Sequence, residues 1–138
     1  MSGCSVSNLS VSGTRKVGGL IGSAYSDNSI VNCFVKGCTI ATTATENYAE
    51  SKSGTMGVGG LIGCYATTHA SGGKLSDCLV ESVSLRCPKE IEKIAQLSYM
   101  VGIKYKGDED AVPDTVQNNM VTGDNSGANV NSEDEVVS

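Results

Sequence analysis

The sequence predicts an all-β protein, a β-solenoid of about three to four coils whose short strands stack through parallel ladders. One observation is a repeated tract: Val-Gly-Gly-Leu-Ile-Gly occurs at Val17 to Gly22 and again at Val58 to Gly63, 41 positions apart (58 minus 17). A second is a repeated strand pattern. Cys4-Ser5-Val6-Ser7-Asn8-Leu9-Ser10-Val11, Cys33-Phe34-Val35-Lys36-Gly37-Cys38-Thr39-Ile40 and Cys78-Leu79-Val80-Glu81-Ser82-Val83-Ser84-Leu85 share apolar residues at positions 1, 3, 6 and 8. Two short period-2 runs separated by a step read as strand, corner, strand, each with one buried face. The third is composition: 17 glycines in 138 residues, with one Phe and no Trp, suit small regular packing along an axis.

Each element follows from these columns. The first column holds Cys4, Cys33 and Cys78 and the third holds Val6, Val35, Val80 and Val121, so like residues line a narrow interior in register. The glycines at 18, 19 and 22 suit corners that need positive φ or close backbone approach. A degraded copy lies downstream, with Tyr99-Met100-Val101-Gly102 under Gly60-Leu61-Ile62-Gly63 and Asn119-Met120-Val121 under Cys78-Leu79-Val80. Its second run dissolves into Asp124-Asn125-Ser126-Gly127, as suits a terminal cap. Residues 1–130 therefore form one solenoid domain, with repeats near 3–16 (partial), 17–57, 58–96 and 97–130 (degenerate cap); residues 131–138 are an acidic tail. Pro88 opens a segment where Ile91, Ile94, Ala95 and Leu97 give helical spacing, predicting one short helix near 88–97. Helical and leucine-rich solenoids fail, because the units lack a 3.6 period and spaced leucines.

Gly19-Leu20-Ile21-Gly22 and Gly60-Leu61-Ile62-Gly63, each followed after a turn by Asn32-Cys33 or Asp77-Cys78 and a Val two residues on, resemble the GLUG motif. That motif is similar to repeats of bacterial surface proteins, among them adhesin-like proteins of gut Bacteroidetes and regions near IgA-cleaving peptidases. The match covers residues 3 to 85 well and 97 to 123 weakly. The resemblance implies a right-handed parallel β-helix on a cell surface and carries no catalytic residues.

Candidate chemistry is sparse. The six cysteines Cys4, Cys33, Cys38, Cys64, Cys78 and Cys87 read first as buried thiols in an internal file. One disulfide is the alternative, with Cys64 and Cys87 the first pair to consider; the Cys33-x4-Cys38 spacing is not a zinc knuckle. His69 lies in a turn-like run, and a dyad with Cys64 has nothing to orient it. Asn32, Asp77 and Asn118 share one column. Paired carboxylates there would suggest hydrolysis, but only one is acidic, so corner residues bonding to backbone are expected. Asp108, Glu109, Asp110 and Asp114 offer oxygen ligands for calcium across 108–114, without the ligand spacing of a calcium loop; a solvated acidic loop is preferred. Glu133, Asp134 and Glu135 read as a solubilising end. The excursion Ala41 to Gly57, with Thr42, Thr43, Thr45 and Tyr48, is where a solenoid would carry a ligand site.

No catalytic, cofactor or metal residues are therefore expected. The function predicted is a non-catalytic structural or adhesive module of a bacterial cell-surface protein, extracellular or at the surface, with a glycan or protein partner. A polysaccharide lyase or hydrolase is the alternative. It would need convergent carboxylates or bases outward, where Ser, Thr, Lys36 and Glu81 stand instead, and its sugar-stacking candidates are Tyr25, Tyr48 and Tyr65. An ice-binding array would need threonines recurring at the repeat period, and Thr42, Thr43 and Thr45 do not. The net charge of −5 argues against nucleic acid. No apolar stretch spans a membrane, and Met1 leads straight into the first strand without a signal peptide. Because the first coil lacks a preceding glycine tract, the chain reads as a piece of a longer protein. An open solenoid end exposes strand edges, so end-to-end self-association is expected.

Overall fold

The computed structural model describes residues 1–25, 28–45, 57–66, 73–92, 95–105 and 115–127. Among these residues it is all-β, with one short helical turn. The strands are β1 (Ser5–Ser7), β2 (Ser10–Gly13), β3 (Lys16–Gly18), β4 (Ile21–Tyr25), β5 (Ser29–Val31), β6 (Phe34–Lys36), β7 (Thr39–Thr42), β8 (Gly57–Gly59) and β9 (Ile62–Ala66). They continue as β10 (Lys74–Ser76), β11 (Leu79–Glu81), β12 (Ser84–Arg86), β13 (Gln96–Ser98), β14 (Val101–Tyr105), β15 (Thr115–Gln117), β16 (Met120–Thr122) and β17 (Ser126–Gly127). Each strand pairs in parallel with the strand five places on. The five sheets run β1-β6-β11-β16, β2-β7-β12-β17, β3-β8-β13, β4-β9-β14 and β5-β10-β15. Three five-strand units and the first two strands of a fourth are thus stacked in a β-helix-like arrangement.

Register follows the side-chain columns. Val35 pairs with Val6 on one side and Val80 on the other, and Val80 with Val121; Val35 and Val80 are fully buried. Ile40 lies between Val11 and Leu85, and Val58 between Val17 and Leu97. Because side chains alternate across a strand, a slip of one residue would turn every such column outward.

The corners are made by left-handed backbone, in two stacked columns. Gly3, Asn32, Asp77 and Asn118 have φ of 66°, 56°, 55° and 56°, and Asn8, Gly37, Ser82 and Gly123 have 55°, 62°, 54° and 77°. Asn, Asp and Gly tolerate this region best. Asn32, Asp77 and Asn118 are corner residues, and Gly3 completes their column. The glycine tracts serve differently. Gly18, Gly19 and Gly22 do not have positive φ; Gly18 and Gly19 are small because backbone passes close by, as where a Cβ at Gly18 would lie 2.6 Å from Gly63 N.

Four expectations are corrected. The helix near 88–97 shrinks to a 3-10 turn at Lys89–Ile91, because Gln96 and Leu97 join the ladder opposite Gly57 and Val58, and ladder bonds outweigh a weak local preference. Thr42 belongs to β7 and not to the excursion: it is buried, and its Oγ1 donates to Thr14 O at 2.7 Å. The second run of the last repeat does not dissolve: Ser126 pairs with Ser84, after one extra residue at the corner. Leu9, in an interior column, is 56% exposed, because β1 and β2, which flank it, are the edge strands of their sheets among the described residues.

The last unit closes the cysteine column with an amide. Cys33 Sγ and Cys78 Sγ donate to the carbonyls of Val31 and Ser76, at 3.4 and 3.3 Å, and Cys78 Sγ also approaches Ile30 O at 3.7 Å. Asn119, buried in the same column, accepts from Cys78 N–H at 3.1 Å and donates to Leu75 O at 2.8 Å. Asn125 likewise accepts from Val83 N–H at 2.9 Å. Asn119→Ala should cost about 2 to 6 kcal/mol in urea unfolding, since two buried backbone groups lose partners worth about 1 to 3 kcal/mol each. Asn119→Cys should cost less, because it extends the thiol file.

Candidate functional surface

The outward faces of the two four-strand sheets carry three side-chain columns. On β6, β11 and β16, Phe34, Leu79 and Met120 stand in register, half-buried to exposed, and form an apolar ridge. Beside it, Lys36 Nζ meets Glu81 Oε2 at 3.1 Å, an exposed ladder pair worth well under about 1 kcal/mol. Around the corner, Ser10, Thr39, Ser84 and Ser126 form a hydroxyl column. There Ser126 Oγ and Ser84 Oγ are 3.2 Å apart, and Arg86 Nε donates to Ser84 Oγ at 3.2 Å. A shallow cleft of about 340 Å³ runs along Ser84, Arg86, Cys87 and Ser126. Strand alternation is the cause: the residues between the buried Val and Ile positions must face solvent. Such a strip can hold an extended polar ligand through hydroxyls and one guanidinium, with the ridge as an apolar rail.

The structure places the sequence candidates as follows. All six cysteines are free, so no Cys64–Cys87 disulfide exists. Cys64 is buried on β9, and Cys87 follows β12 beside Glu92. Cys4 joins the Cys33–Cys78 file at its half-exposed end: Phe34 N donates to Cys4 O, and Leu79 N donates to Cys33 O, each at 2.9 Å. Tyr65 is buried and not presented for stacking. Asn32, Asp77 and Asn118 are exposed corner residues. Lys36 and Glu81 face outward as expected. His69, Tyr48, the 108–114 acids and Glu133 to Glu135 lie outside the described residues, as does the side chain of Tyr25. Among the described residues no cluster of three His, Cys, Asp or Glu stands ready for a metal ion, and no helix is long and apolar enough to cross a membrane. The Ser84–Arg86–Ser126 group escaped sequence reading, because Ser126 is aligned only by the extra corner residue.

Burial pushes the Cys78 thiol up to about 11, with the backbone N–H of Cys33 pulling the other way. The folded protein then holds a proton that the unfolded chain releases above its ordinary value of 9.0. Stability is therefore full below that value and falls as pH rises toward about 11. Urea midpoints measured across this window should decline, and Cys78→Ala should show a shallower decline; identical slopes would remove the assignment.

Comparison with protein-family models, curated proteins and solved structures gives no match to this chain.

Proposed function

We propose that the chain is a non-catalytic structural or adhesive module of a bacterial cell-surface protein, built as a right-handed parallel β-helix that serves as a stalk or display platform. The observation that carries this reading is the vertical register of the glycine tracts. Val17-Gly18 lies on Val58-Gly59, and Gly19 N bonds to Gly60 O at 3.1 Å. The repeated residues are thereby committed to stacking one unit on the next, which yields a stiff rod whose length scales with repeat number. The resemblance of these tracts to the GLUG motif supports a surface location. The outward hydroxyl column and Arg86 suit a glycan or protein partner at that surface, since acceptor-rich ligands are held by hydroxyls and guanidinium without chemistry.

Labelling of intact producing cells with an antibody to the folded chain should be positive; labelling only after permeabilisation would overturn the surface assignment. In a glycan array the chain should bind, and Arg86→Ala should weaken binding about fivefold to tenfold, the loss of one charge-assisted hydrogen bond. Processive cleavage of any bound polysaccharide would replace the platform reading with an enzymatic one.

A further inference from the structure

Two fully buried thiols lie one above the other in the interior. Cys33 and Cys78 stand one residue before the paired Phe34 and Leu79, and Leu79 N–H donates to Cys33 O at 2.9 Å. They are therefore neighbours across one rung of a parallel ladder. Each Sγ donates to the carbonyl two residues back in its own unit, Val31 O at 3.4 Å and Ser76 O at 3.3 Å. The two side chains thus point the same way, and one sulfur is displaced from the other by the rung spacing, about 4.7 to 4.9 Å. Cys78 Sγ also reaches toward the unit that carries Cys33, lying 3.7 Å from Ile30 O. Behind the burial that raises the Cys78 thiol, the charge of a Cys33 thiolate is a further cause, as expected of sulfur atoms this close.

That separation suits one class of ligand. A zinc–thiolate bond is about 2.3 Å long, so an ion of similar size held in line between two sulfur atoms spans about 4.6 Å, close to one rung. Two ligands are too few for zinc itself, which takes four in a structural site. They complete the shell of a soft ion that prefers linear coordination, and thiolate is the ligand that soft ions select. Burial decides the charge. A monovalent ion between two thiolates leaves one net negative charge in the core, where an unpaired charge is costly; a divalent ion leaves none. Beyond Cys78 the column continues with Asn119, whose amide is engaged by Cys78 N–H and Leu75 O, so no third sulfur follows on that side.

We propose that Cys33 and Cys78 form a two-coordinate thiolate site for a soft divalent metal ion, with mercuric ion as its probe. On binding, both S–H bonds break, two sulfur–metal bonds form and two protons leave to solvent, with no change of oxidation state. Because both thiols are sealed, entry requires a local opening of the ladder, and the rate of uptake should level off as ion concentration rises. The site lies inside the stack and is independent of what the outward faces bind. In the full chain carrying Cys4→Ser and Cys87→Ser, which removes the two half-exposed thiols, one equivalent of mercuric chloride should bind and release two protons per ion. X-ray absorption should then find two sulfur neighbours at about 2.3 Å. Adding Cys33→Ala or Cys78→Ala should weaken uptake more than about a hundredfold, beyond the roughly 10- to 100-fold that loss of an outer-shell partner costs, while circular dichroism stays that of the parent. Should these variants lose their fold, crystals of the unsubstituted chain grown with the ion should show an anomalous peak between Sγ of Cys33 and Sγ of Cys78. A shell with one sulfur, a peak elsewhere, or uptake unchanged by Cys78→Ala would overturn the proposal. So would zinc bound as tightly as mercuric ion, because that requires ligands beyond these two.

Discussion

Val35→Asp is expected to abolish cooperative unfolding and the β-sheet circular dichroism signal. Val35 is fully buried between Val6 and Val80 in a file of like residues. Replacing it removes apolar burial worth about 2 kcal/mol, and it places a carboxyl group where the neighbours are Val and Ile side chains. An unpaired carboxylate there costs several kcal/mol more, or takes up a proton and leaves a polar group unbonded. Together these rival the whole stability of a domain, about 5 to 15 kcal/mol. Val6→Asp is the internal control. The same column position in the first unit is half-buried, so the carboxylate reaches water and the variant should fold with reduced stability. Equal behaviour of the two variants would mean that Val35 does not face the interior.

Gly63→Ala should destabilise the protein by about 3 kcal/mol or more, the upper part of the range for overpacking. A Cβ at Gly63 would lie 2.5 Å from Val17 N, 2.7 Å from Lys16 C and 2.8 Å from Gly22 O. All three are backbone atoms of the preceding unit, so no rotamer change relieves the collision. Gly22 holds the same place in the first tract, yet its added Cβ would meet only Lys16 O, at 3.1 Å. Gly22→Ala should therefore cost less than about 1 kcal/mol, a contact that a small local shift accommodates. Urea denaturation of both variants measures the contrast. Equal losses would show that the tract is needed for backbone freedom and not for close approach.

Much of the fold was legible because period-2 columns survive in the sequence. Val6, Val35, Val80 and Val121 could be aligned although the repeats differ in length (29, 45 and 41 residues), because each stands two residues after Cys4, Cys33, Cys78 or Asn119 at the start of the same local pattern. The tract Val17 to Gly22 on Val58 to Gly63 was legible for the same reason. Where the corner gained a residue, at Asp124 and Asn125, alignment by spacing lost the second strand, and with it Ser126 of the hydroxyl column. Local reading also overreached at Ile91 to Leu97. Helical spacing was present there, but Leu97 is held opposite Val58 in the ladder.

Side-chain environment was less legible than register. Tyr65 looked available for stacking on a sugar, yet it is buried; Leu9 looked buried, yet it is exposed. By itself the sequence determined that strands would be short, parallel and stacked in a set register, because repeated spacing of apolar and glycine positions leaves no other way to bury them together. Only the tertiary structure decided which members of each column meet water, and which outward side chains, such as Ser84, Arg86 and Ser126, come within bonding distance. The physical reason is that burial depends on having a unit on both sides, and a residue's own neighbours in sequence do not report that.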